Sequence, residues 1–488
     1  MTSLRFRAPE YQADGSFEEH EFVYEGDETA GWSISRDGSE VLRLGPGYTA
    51  VRSRYCGVCS TDLARMHLPY PLPQVIGHEV VAEQDGRPVV VEINASLDAR
   101  GVAPETYAYA HGSMHTHDPE RITLGINQLP GGFSPYVLAP LNAIVPVPES
   151  VGPLVASLTE PFAAALQGVE ATHPKQNDSV AVLGPRRLGS LVIAALAGFR
   201  AREGLNFQIT ALARHKKLLD LAQRLGADDG VDVSEPEGLK ETYDIVFDTT
   251  GNPRGFELAL KLARRVVHVK STNGMPVLGL AHLTDMVVDE IALVPATSKY
   301  LNFGWPSESV PRTNPNIYVA PGVSDAALEK ISIPGDRRVH RIPIEAAREA
   351  IIKDAREQIF FPQGSPYPRF DLAIVSSLAE ADQVIRPRAE EELSLVRARG
   401  AILLAADSGE SALAHAIVER GLEIHTSRCG DFHRALEILE KNPEITRALE
   451  ENLITHRFAL SNIAEAFDVA ADSEKSVKVI VETGALNP

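Results

Sequence analysis

The stretch SVAVLGPRRLGSLVIAALAGFRAREG, residues 179–204, decides the fold of this chain. An apolar run leads into a turn bounded by Gly184 and Gly189, and an Ala-rich segment follows the turn. This order is typical of a β-strand, a tight turn and an α-helix. The same strand-then-helix order returns at residues 207–228 and 243–272. Strands that alternate with helices predict right-handed βαβ crossovers and a parallel sheet.

Residues 1–150 have a different pattern. Short β-type runs, such as YTAVRSRY at 48–55 and VVVEI at 89–93, alternate with Gly and Pro turns. This pattern predicts a mostly antiparallel barrel or sandwich. The helical period begins near residues 157–171. Because 488 residues exceed the size of one compact domain, we expect two or three domains.

Composition excludes several classes of protein. The chain is 44% hydrophobic and 23% charged, as in an ordinary globular protein. Its formal charge of -19 argues against nucleic acid or an anionic membrane as a partner. No apolar run approaches the roughly 20 residues of a membrane span, and the N-terminal residues lack the apolar core of a signal peptide. With 3 cysteines in all, a disulfide framework is excluded and a cytoplasmic location is expected.

Three blocks of sequence recur in the same order, although their offsets differ. The pattern admits two interpretations: a partial internal duplication, or the general likeness of any two βα units. The paired blocks are YDIVFDTTGNP (243–253) with FDLAIVSSLAE (370–380), LALKLARRVVHVKST (258–272) with LSLVRARGAILLAAD (393–407), and residues 337–351 with residues 452–470.

The chemistry-bearing residues begin with YCGVCSTDL at 55–63, which places Cys56 and Cys59 three positions apart. Such a pair fits a redox motif, half of a four-thiolate zinc site, or one metal ligand with an incidental neighbour. His78 and Glu160 follow in VIGHEVVAE and TEPFAAAL. Glu160 alone fits an ordinary acid at a helix N-terminus. Beside Cys59 and His78 it favours zinc, because thiolate, imidazole and carboxylate are preferred zinc ligands.

These motifs resemble those of one family, the zinc-dependent medium-chain dehydrogenases of the alcohol and polyol type. The resemblance covers roughly residues 30–295 and 420–485. The motifs that carry it, in order, are CGVCSTDL (56–63), GHEVVAE (77–83), EPFAAAL (160–166), the Gly-bounded turn at 184–189 and TTGNP (249–253).

The resemblance implies a set of metal ligands. It makes Cys59 the zinc ligand and Cys56 a buried neighbour, and it adds His78 as a second ligand. Glu160 matches the acidic third ligand of the polyol-dehydrogenase type. A four-thiolate site is excluded because the chain has 3 cysteines. The resemblance also implies no redox role, because the motif follows strands in the β-rich part.

The resemblance assigns further catalytic roles around the metal. Asp62 matches the acid that orients the ligand histidine by accepting its other N–H. Thr61 matches the hydroxyl that takes the substrate proton. Glu79 follows the zinc histidine and is expected to approach the metal. The position that often ends the proton relay with a histidine is Ala64 here, so the proton must leave by another route.

The dinucleotide turn departs from the family. Its middle position, usually Gly so that the backbone approaches the pyrophosphate, is Arg186, which either obstructs the cofactor or pairs with a phosphate. Ala213 stands where an acid would hold the NAD ribose, and Arg214 follows it, so NADP is expected and NAD stays possible; a solvated helix start is the alternative. The residues expected to contact the cofactor are Gly184, Arg186, Arg187, Leu188, Gly189, Arg214, Thr250, Gly251, Lys270 and Ser271.

The expected fold is α/β: a GroES-like β-rich catalytic domain and a Rossmann-type doubly wound parallel sheet, with an extra α/β lobe inserted. The lobe is expected to extend the dinucleotide sheet or to form a pseudo-symmetric partner for it, and it is a candidate partial duplication. The expected boundaries are 1–155 with 446–488 for the catalytic domain, 156–295 with 420–445 for the dinucleotide domain, and 296–419 for the lobe.

The function that the resemblance implies is zinc-dependent, NAD(P)(H)-linked interconversion of an alcohol or polyol and its carbonyl compound. The substrate is then a small molecule, and a homodimer or homotetramer is expected. Two alternatives stay open from the sequence. One is a zinc-containing lyase or isomerase of the same fold, and the other is a non-catalytic scaffold or binding protein.

Overall fold

The computed structural model divides into two compact units. The first unit comprises Met1–Glu105, Ser113–Ala163 and Cys429–Pro488, and the second comprises Thr106–Gly112 and Ala164–Arg428. The residues described are 2–101, 115–117, 121–235, 242–271, 274–297, 316–329, 331, 338–347, 349–350, 369–386, 394–406, 411–472 and 474–484.

The strands of the first unit form three antiparallel or mixed sheets. One sheet has the order β1-β2-β3-β4, one the order β11-β7-β6-β5-β24-β23 with β10 also on β5, and one pairs β8 with β9. The strands are β1 (Thr2–Tyr11), β2 (Phe17–Asp27), β3 (Gly31–Arg36), β4 (Ser39–Leu44), β5 (Tyr48–Gly57), β6 (Glu79–Gln84), β7 (Arg87–Val91), β8 (Asn94–Ala95), β9 (Ile122–Thr123), β10 (Tyr136–Pro140), β11 (Ile144–Pro146), β23 (Ile454–Ala459) and β24 (Lys478–Glu482).

The second unit is built on one long sheet with the order β14-β13-β12-β15-β16-β22-β17-β21-β20-β18-β19. Most of its strands are buried and rich in Val, Ile, Leu and Ala, as expected for strands covered on both faces. The strands are β12 (Ser179–Leu183), β13 (Gln208–Ala213), β14 (Asp229–Asp232), β15 (Tyr243–Asp248), β16 (Ala263–Val269), β17 (Ala292–Pro295), β18 (Asn316–Val319), β19 (Arg338–Arg341), β20 (Phe370–Val375), β21 (Val396–Leu404) and β22 (Glu423–Thr426).

Helices connect these strands in both units, and α4 follows the Gly-bounded turn. It ends at Gly204, whose φ of 63° caps a helix in the left-handed region. The α-helices are α1 (Ser60–Leu63), α2 (Pro153–Ala156), α3 (Thr159–Thr172), α4 (Arg187–Glu203), α5 (Lys216–Arg224), α6 (Pro253–Leu262), α7 (Leu283–Val288), α8 (Asp325–Glu329), α9 (Leu378–Ile385), α10 (Ala412–Val418), α11 (Phe432–Lys441), α12 (Pro443–Asn452) and α13 (Ile463–Ala471). Single 3₁₀ turns occupy Arg65–His67, His115–His117, Leu141–Ala143 and Leu460–Asn462.

The predicted α/β class, with a β-rich part and a parallel sheet, is confirmed. The described strands of residues 296–419 join the same sheet as β12 to β16 and lie in the same compact unit. The structure therefore has two units, within the expected two or three domains, and the predicted boundaries themselves stay predictions. Residues 299–325 are rich in Pro, Asn and Ser, which predicts an irregular segment; residues 298–315 of this region lie outside the described residues.

Among the residues that the structure describes, no helix is both long enough and apolar enough to cross a bilayer.

A core substitution at the centre of the long sheet should lower the free energy of unfolding more than a substitution elsewhere. Ile424 on β22 is completely buried, so Ile424→Ala should lower the free energy of unfolding by about 2–5 kcal/mol through lost burial and a residual cavity. Val41→Ala, at a side chain that is 50% exposed, is the matched control and should stay within about 0.5 kcal/mol. Chemical denaturation measures both, and equal losses would contradict this placement of the core.

Candidate functional site

The metal-ligating candidates of the first unit begin where β5 ends. Cys59 is the N-cap of α1, and its backbone N–H donates to Asp62 Oδ2 at 2.8 Å. The capping contact fixes the turn, because it satisfies an amide that would otherwise lack a partner at the helix start. Thr61 Oγ1 lies 3.7 Å from Cys59 Sγ. The end of β5, the N-cap of α1 and the Thr61 hydroxyl therefore all lie close to the half-buried thiol of Cys59.

His78 lies directly before β6, and its side chain is close to the Cys59 thiol. It is 3% exposed, and its Nδ1 lies 3.2 Å from Asp62 Oδ1. Burial lowers the pKa of His78, but the Asp62 carboxylate outweighs burial and the net pKa is well above the ordinary value. Asp62 thus holds the Nδ1 side of the ring, which leaves Nε2 for a second partner.

Cys59, His78 and Glu79 form a cluster whose ligand atoms all lie within 4.8 Å of one another. His78 and Glu79 are buried and Cys59 is half-buried. Thiolate, imidazole and carboxylate together are a donor set that suits zinc. Buried groups of this kind are costly unless an ion or a partner compensates them, so the arrangement fits a metal ion.

Glu79 also pairs with a residue that the sequence analysis missed, Lys478 on β24. Their side chains form a buried ion pair, and Lys478 Nζ donates to the Val58 carbonyl at 3.1 Å. Burial lowers the pKa of Lys478, but Glu79 outweighs this and the net pKa is raised. The sequence feature that could have predicted this ion pair is the single lysine inside the largely apolar run SVKVIV. A buried cation in a central strand requires a buried anion.

A glycine makes room for this pair. Gly57 lies at the end of β5, and a Cβ at this position would overlap the Glu79 carboxylate. Any side chain at 57 would therefore displace Glu79 from Lys478. The first glycine of CGVC is thus required by the packing of the carboxylate and not by a turn.

Cys56 and Glu160 differ from the other candidates. Cys56 is completely buried, and burial raises the pKa of its thiol well above the ordinary value, so it stays a protonated thiol. Glu160 lies in the first turn of α3, is half-buried and is not a member of the Cys59 cluster. The carboxylate beside the thiol and imidazole is that of Glu79. A ligand role for Glu160 stays a prediction.

The second unit brings the predicted cofactor residues to one edge of the long sheet. Strands β12, β13, β15, β16 and β22 are parallel neighbours. The carboxyl ends of parallel strands share one edge, where α/β folds of this kind bind their ligands. The predicted residues that follow these strand ends are Gly184, Arg186, Arg187, Leu188, Gly189, Arg214, Thr250, Gly251, Lys270 and Ser271.

The turn after β12 depends on its two glycines. Gly184 has a φ of 81°, which disfavours any residue with a side chain. A Cβ on Gly189 would lie 2.5 Å from the Gly184 carbonyl oxygen and 2.6 Å from Thr249 Oγ1. Arg186 serves as the N-cap of α4 and donates its N–H to the Gly184 carbonyl at 2.7 Å. The turn is therefore tight despite its central arginine.

Thr249 and Thr250 fasten the neighbouring strand end. Thr249 Oγ1 donates to the carbonyls of Leu183 and Gly184 at 2.9 and 2.8 Å. The N–H and Oγ1 of Thr250 both donate to Asp248 Oδ1. Burial raises the pKa of Asp248 to about 6. These contacts place the amides of the TTG motif rigidly beside the glycine turn.

Lys270 occupies the end of β16. Its Nζ donates to Ser427 Oγ and to the Arg428 carbonyl, both at 2.7 Å. Ser427 Oγ also lies 2.9 Å from His268 Nε2. Burial lowers the pKa of His268 well below the ordinary value, so the ring is neutral. A polar network thus joins the ends of β16 and β22. Of its members, Lys270 was predicted from the sequence to contact the cofactor, whereas Ser427 was not predicted.

Arg214 begins a basic surface directly after β13. Arg214, His215, Lys216 and Lys217 are all exposed. The Lys216 ammonium pairs with Asp220 at 2.6 Å. Position 213 is alanine, so β13 itself ends without a carboxylate that would hold a ribose, and Asp232 at the end of the neighbouring β14 lies opposite Ala213.

Comparison with known proteins begins with a domain model. Residues 45–149 match the Alcohol dehydrogenase GroES-like domain. The matched segment contains Cys59, His78 and Glu79, but neither the N-terminal four-stranded sheet nor the long sheet.

Two curated relatives align over about half of the chain. (R,R)-butanediol dehydrogenase of Bacillus subtilis is 28% identical over 235 residues, which cover 43% of this chain and 65% of that protein. L-threonine 3-dehydrogenase of Rhizobium etli is 26% identical over 268 residues, which cover 49% of this chain and 71% of that protein. The alignment to the first of these thus spans slightly less than two thirds of its length.

A solved structure extends the likeness in fold to nearly the whole chain. A zinc-binding dehydrogenase from Sinorhizobium meliloti 1021, bound to NADP, has a TM-score of 0.52 and 16% identity, and the match covers 98% of this chain and 99% of that one. Residues 45–149 thus match an alcohol dehydrogenase GroES-like domain, and the aligned relatives and the shared fold make the chain similar to medium-chain dehydrogenases of the alcohol and polyol type.

Proposed function

We propose that this chain is a zinc-dependent oxidoreductase that interconverts a small alcohol or polyol and its carbonyl compound, with NADP as the hydride carrier. The observation that carries the proposal is the cluster of Cys59, His78 and Glu79, whose ligand atoms lie within 4.8 Å of one another. The cluster lies inside the segment that matches an alcohol dehydrogenase domain. The relatives named above act on a diol and on an amino alcohol, which favours substrates with two neighbouring polar groups.

Zinc fits the residues that are present. Cys59 and His78 would hold it, and either Glu79 or Glu160 would supply a carboxylate. Bound zinc acts as a Lewis acid that polarises the substrate oxygen and lowers the pKa of an alcohol. The ion pair with Lys478 holds Glu79 in place and compensates its charge.

The protein's own groups handle the histidine and the proton. Asp62 Oδ1 lies 3.2 Å from Nδ1 of His78, so Nε2 is the ring nitrogen left to bind a metal ion. The Thr61 hydroxyl, 3.7 Å from the thiol, is the nearest described group suited to take a proton from a substrate hydroxyl. Position 64 is alanine, so solvent must accept the proton from Thr61.

The sheet edge of the second unit supplies the cofactor site of this proposal. The glycine turn and the amides at the start of α4 suit a pyrophosphate, and the guanidinium groups of Arg186 and Arg187 add positive charge. Arg214 follows a strand end that has no acid, which favours the 2′-phosphate of NADP over the free ribose of NAD. Thr250, Gly251, Lys270 and Ser271 border the nicotinamide end of this edge.

A homodimer or homotetramer and a cytoplasmic location stay predictions. Light scattering on the purified protein would decide the oligomeric state.

The proposed activity is tested directly with zinc-loaded protein, NADP⁺ and 2,3-butanediol. We expect reduction of the nicotinamide, followed by its absorbance, and no reduction with Thr61→Val at equal zinc content. Thr61→Ser keeps the hydroxyl and is the matched control, which should retain most of the rate. A protein that binds both zinc and NADPH but oxidises no alcohol and reduces no carbonyl compound would contradict the proposal in favour of a lyase or isomerase.

The metal assignment predicts one zinc per chain. Cys59→Ser should lose the metal, because it replaces the thiolate at the centre of the cluster, whereas Cys56→Ser should keep it. Elemental analysis of dialysed protein measures both variants. Full zinc occupancy in Cys59→Ser would falsify the assignment.

The cofactor assignment predicts tighter binding of NADPH than of NADH. A hydrogen bond to a charged group contributes about 1.5–3 kcal/mol, so Arg214→Ala should weaken NADPH binding about tenfold or more and leave NADH unchanged. Arg224→Ala, at the far end of α5, is the matched control for lost positive charge. Fluorescence titration measures the affinities of the wild type and both variants for NADPH and NADH, and equal losses for both cofactors in Arg214→Ala would remove the 2′-phosphate argument.

A further inference from the structure

The long sheet of the second unit contains one antiparallel junction among its described strands, between β17 and β22, where Leu293 pairs with Ile424. The strand order reads alike in both directions from this junction. On one side it runs β22-β16-β15-β12-β13, and on the other β17-β21-β20-β18-β19. The sheet therefore has the form of two similar halves that meet at an approximate two-fold axis.

The registers of the strands support equivalence residue by residue. The blocks YDIVFD and FDLAIV make Ile245 on β15 equivalent to Leu372 on β20. Ile245 pairs with Val266 on β16, and Leu372 pairs with Ala401 on β21. In both pairs the register shifts just before this position, between Tyr243 and Ile245 in one half and between Phe370 and Leu372 in the other. An irregularity shared at equivalent positions favours duplication over the general likeness of βα units.

The equivalence of residues also extends to the two strands that meet at the approximate two-fold axis. One residue beyond Val266, Val267 pairs with Ile424, and one beyond Ala401, Ile402 pairs with Leu293. Ile424 and Leu293 are thus equivalent to each other, and they are the pair that meets at the junction. The strand registers of the two halves, taken separately, therefore indicate the same two-fold axis.

The last strands of the two halves are exchanged. We name residues 179–295 the first copy and residues 316–426 the second copy. β17 ends the first copy but pairs with β21 of the second, and β22 ends the second copy but pairs with β16 of the first. Each copy therefore lends its last strand to the other.

The exchange has a consequence for the cofactor edge of the first copy. Lys270, at the end of β16, donates to Ser427 and to the Arg428 carbonyl, which directly follow β22. That edge is completed by residues that directly follow the last strand of the second copy. It would be incomplete without the second copy.

The second copy has lost the residues of such a site at its own strand ends. By register, Gly184 corresponds to Pro321 and Gly189 to Ala326. Gly184 has a φ of 81°, and proline is restricted to a φ near −65°, so the glycine turn cannot form there.

The polar network is lost in the same way. The equivalents of Lys270, Ser427 and His268 are Ala405, Ala296 and Leu403.

A carboxylate occupies the corresponding edge instead. Glu380 Oε2 accepts from the N–H and the Oγ of Ser376, the equivalent of Thr249, at 2.7 and 2.8 Å. Nearby, Asp325 pairs with Arg341 at 2.5 Å. An edge that presents Glu380 and has its arginine already paired repels a phosphate.

We propose that the second copy is a built-in partner half that binds no dinucleotide and whose exchanged last strand completes the single dinucleotide site of the first copy. The statement on cofactor binding rests on the proposed function, whereas the strand exchange does not. The two parts are tested by separate measurements.

Calorimetric titration of the full chain with NADPH tests the number of sites. We expect one NADPH per chain, loss of measurable binding in Gly189→Ala, and unchanged binding in Ala326→Gly at the equivalent position. Two NADPH per chain, or a loss in Ala326→Gly that equals the loss in Gly189→Ala, would overturn the single-site assignment. Absence of all NADPH binding in the wild type would refute the proposed cofactor and leave the exchange to the next measurement.

Cross-linking in the full chain tests the exchange. Ala296 and Ser427 each lie three residues beyond the central pair in opposite directions, which places them about 20 Å apart along the strands. In a Cys429→Ser background, a short bismaleimide that cannot span this distance should join Lys270→Cys to Ser427→Cys, as mapped by mass spectrometry. It should not join Lys270→Cys to Ala296→Cys. Cross-linking of the second pair in place of the first would show that each copy keeps its own last strand.

Discussion

The pairing of β22 with β16 is the interaction on which the second unit depends. In this pairing Val267 lies opposite Ile424. Ser427, which directly follows β22, accepts a hydrogen bond from Lys270. The strand that covers the next position, β17, comes from earlier in the chain and runs antiparallel to β22. Because β16 and β22 are separated by more than 150 residues, a long loop must close before this edge of the sheet is complete. Such non-local pairing is expected to form slowly, since its loop closure must precede the contacts that stabilise it.

The first unit depends on a constraint around two carboxylates, those of Asp62 and Glu79. Asp62 caps α1 and positions His78, and Glu79 is neutralised by Lys478 from β24 near the end of the chain. The ion pair explains why a glycine is required at position 57. Removing either charge would leave the other buried without compensation, which is strongly destabilising. The candidate metal ligands are therefore held by charge pairing between residues that are far apart in the sequence of the unit.

Much of this could be predicted from local sequence, because the informative features were local. The strand-turn-helix order around Gly184 and the motifs around Cys59 and His78 each act within a few residues. The α/β class that they indicated is confirmed, and the segment that contains Cys59 and His78 matches an alcohol dehydrogenase GroES-like domain. Lys478 was missed because its partner lies 399 positions away and no local pattern connects them. The exchange of β17 and β22 was missed for the same reason. A repeat in sequence shows that two copies exist but not which strand pairs with which, since both arrangements bury the same apolar residues.

As proposed, one chain combines a zinc site on Cys59 and His78 with a single dinucleotide site completed by its second copy. A crystal structure of the full chain with zinc and NADPH, with the metal located by its anomalous signal, would test both sites together. We expect zinc on Cys59 and His78 and one NADPH per chain, beside Gly184 and Lys270. A dinucleotide at the strand ends near Pro321, or a zinc ion that Cys59 does not bind, would contradict this expectation.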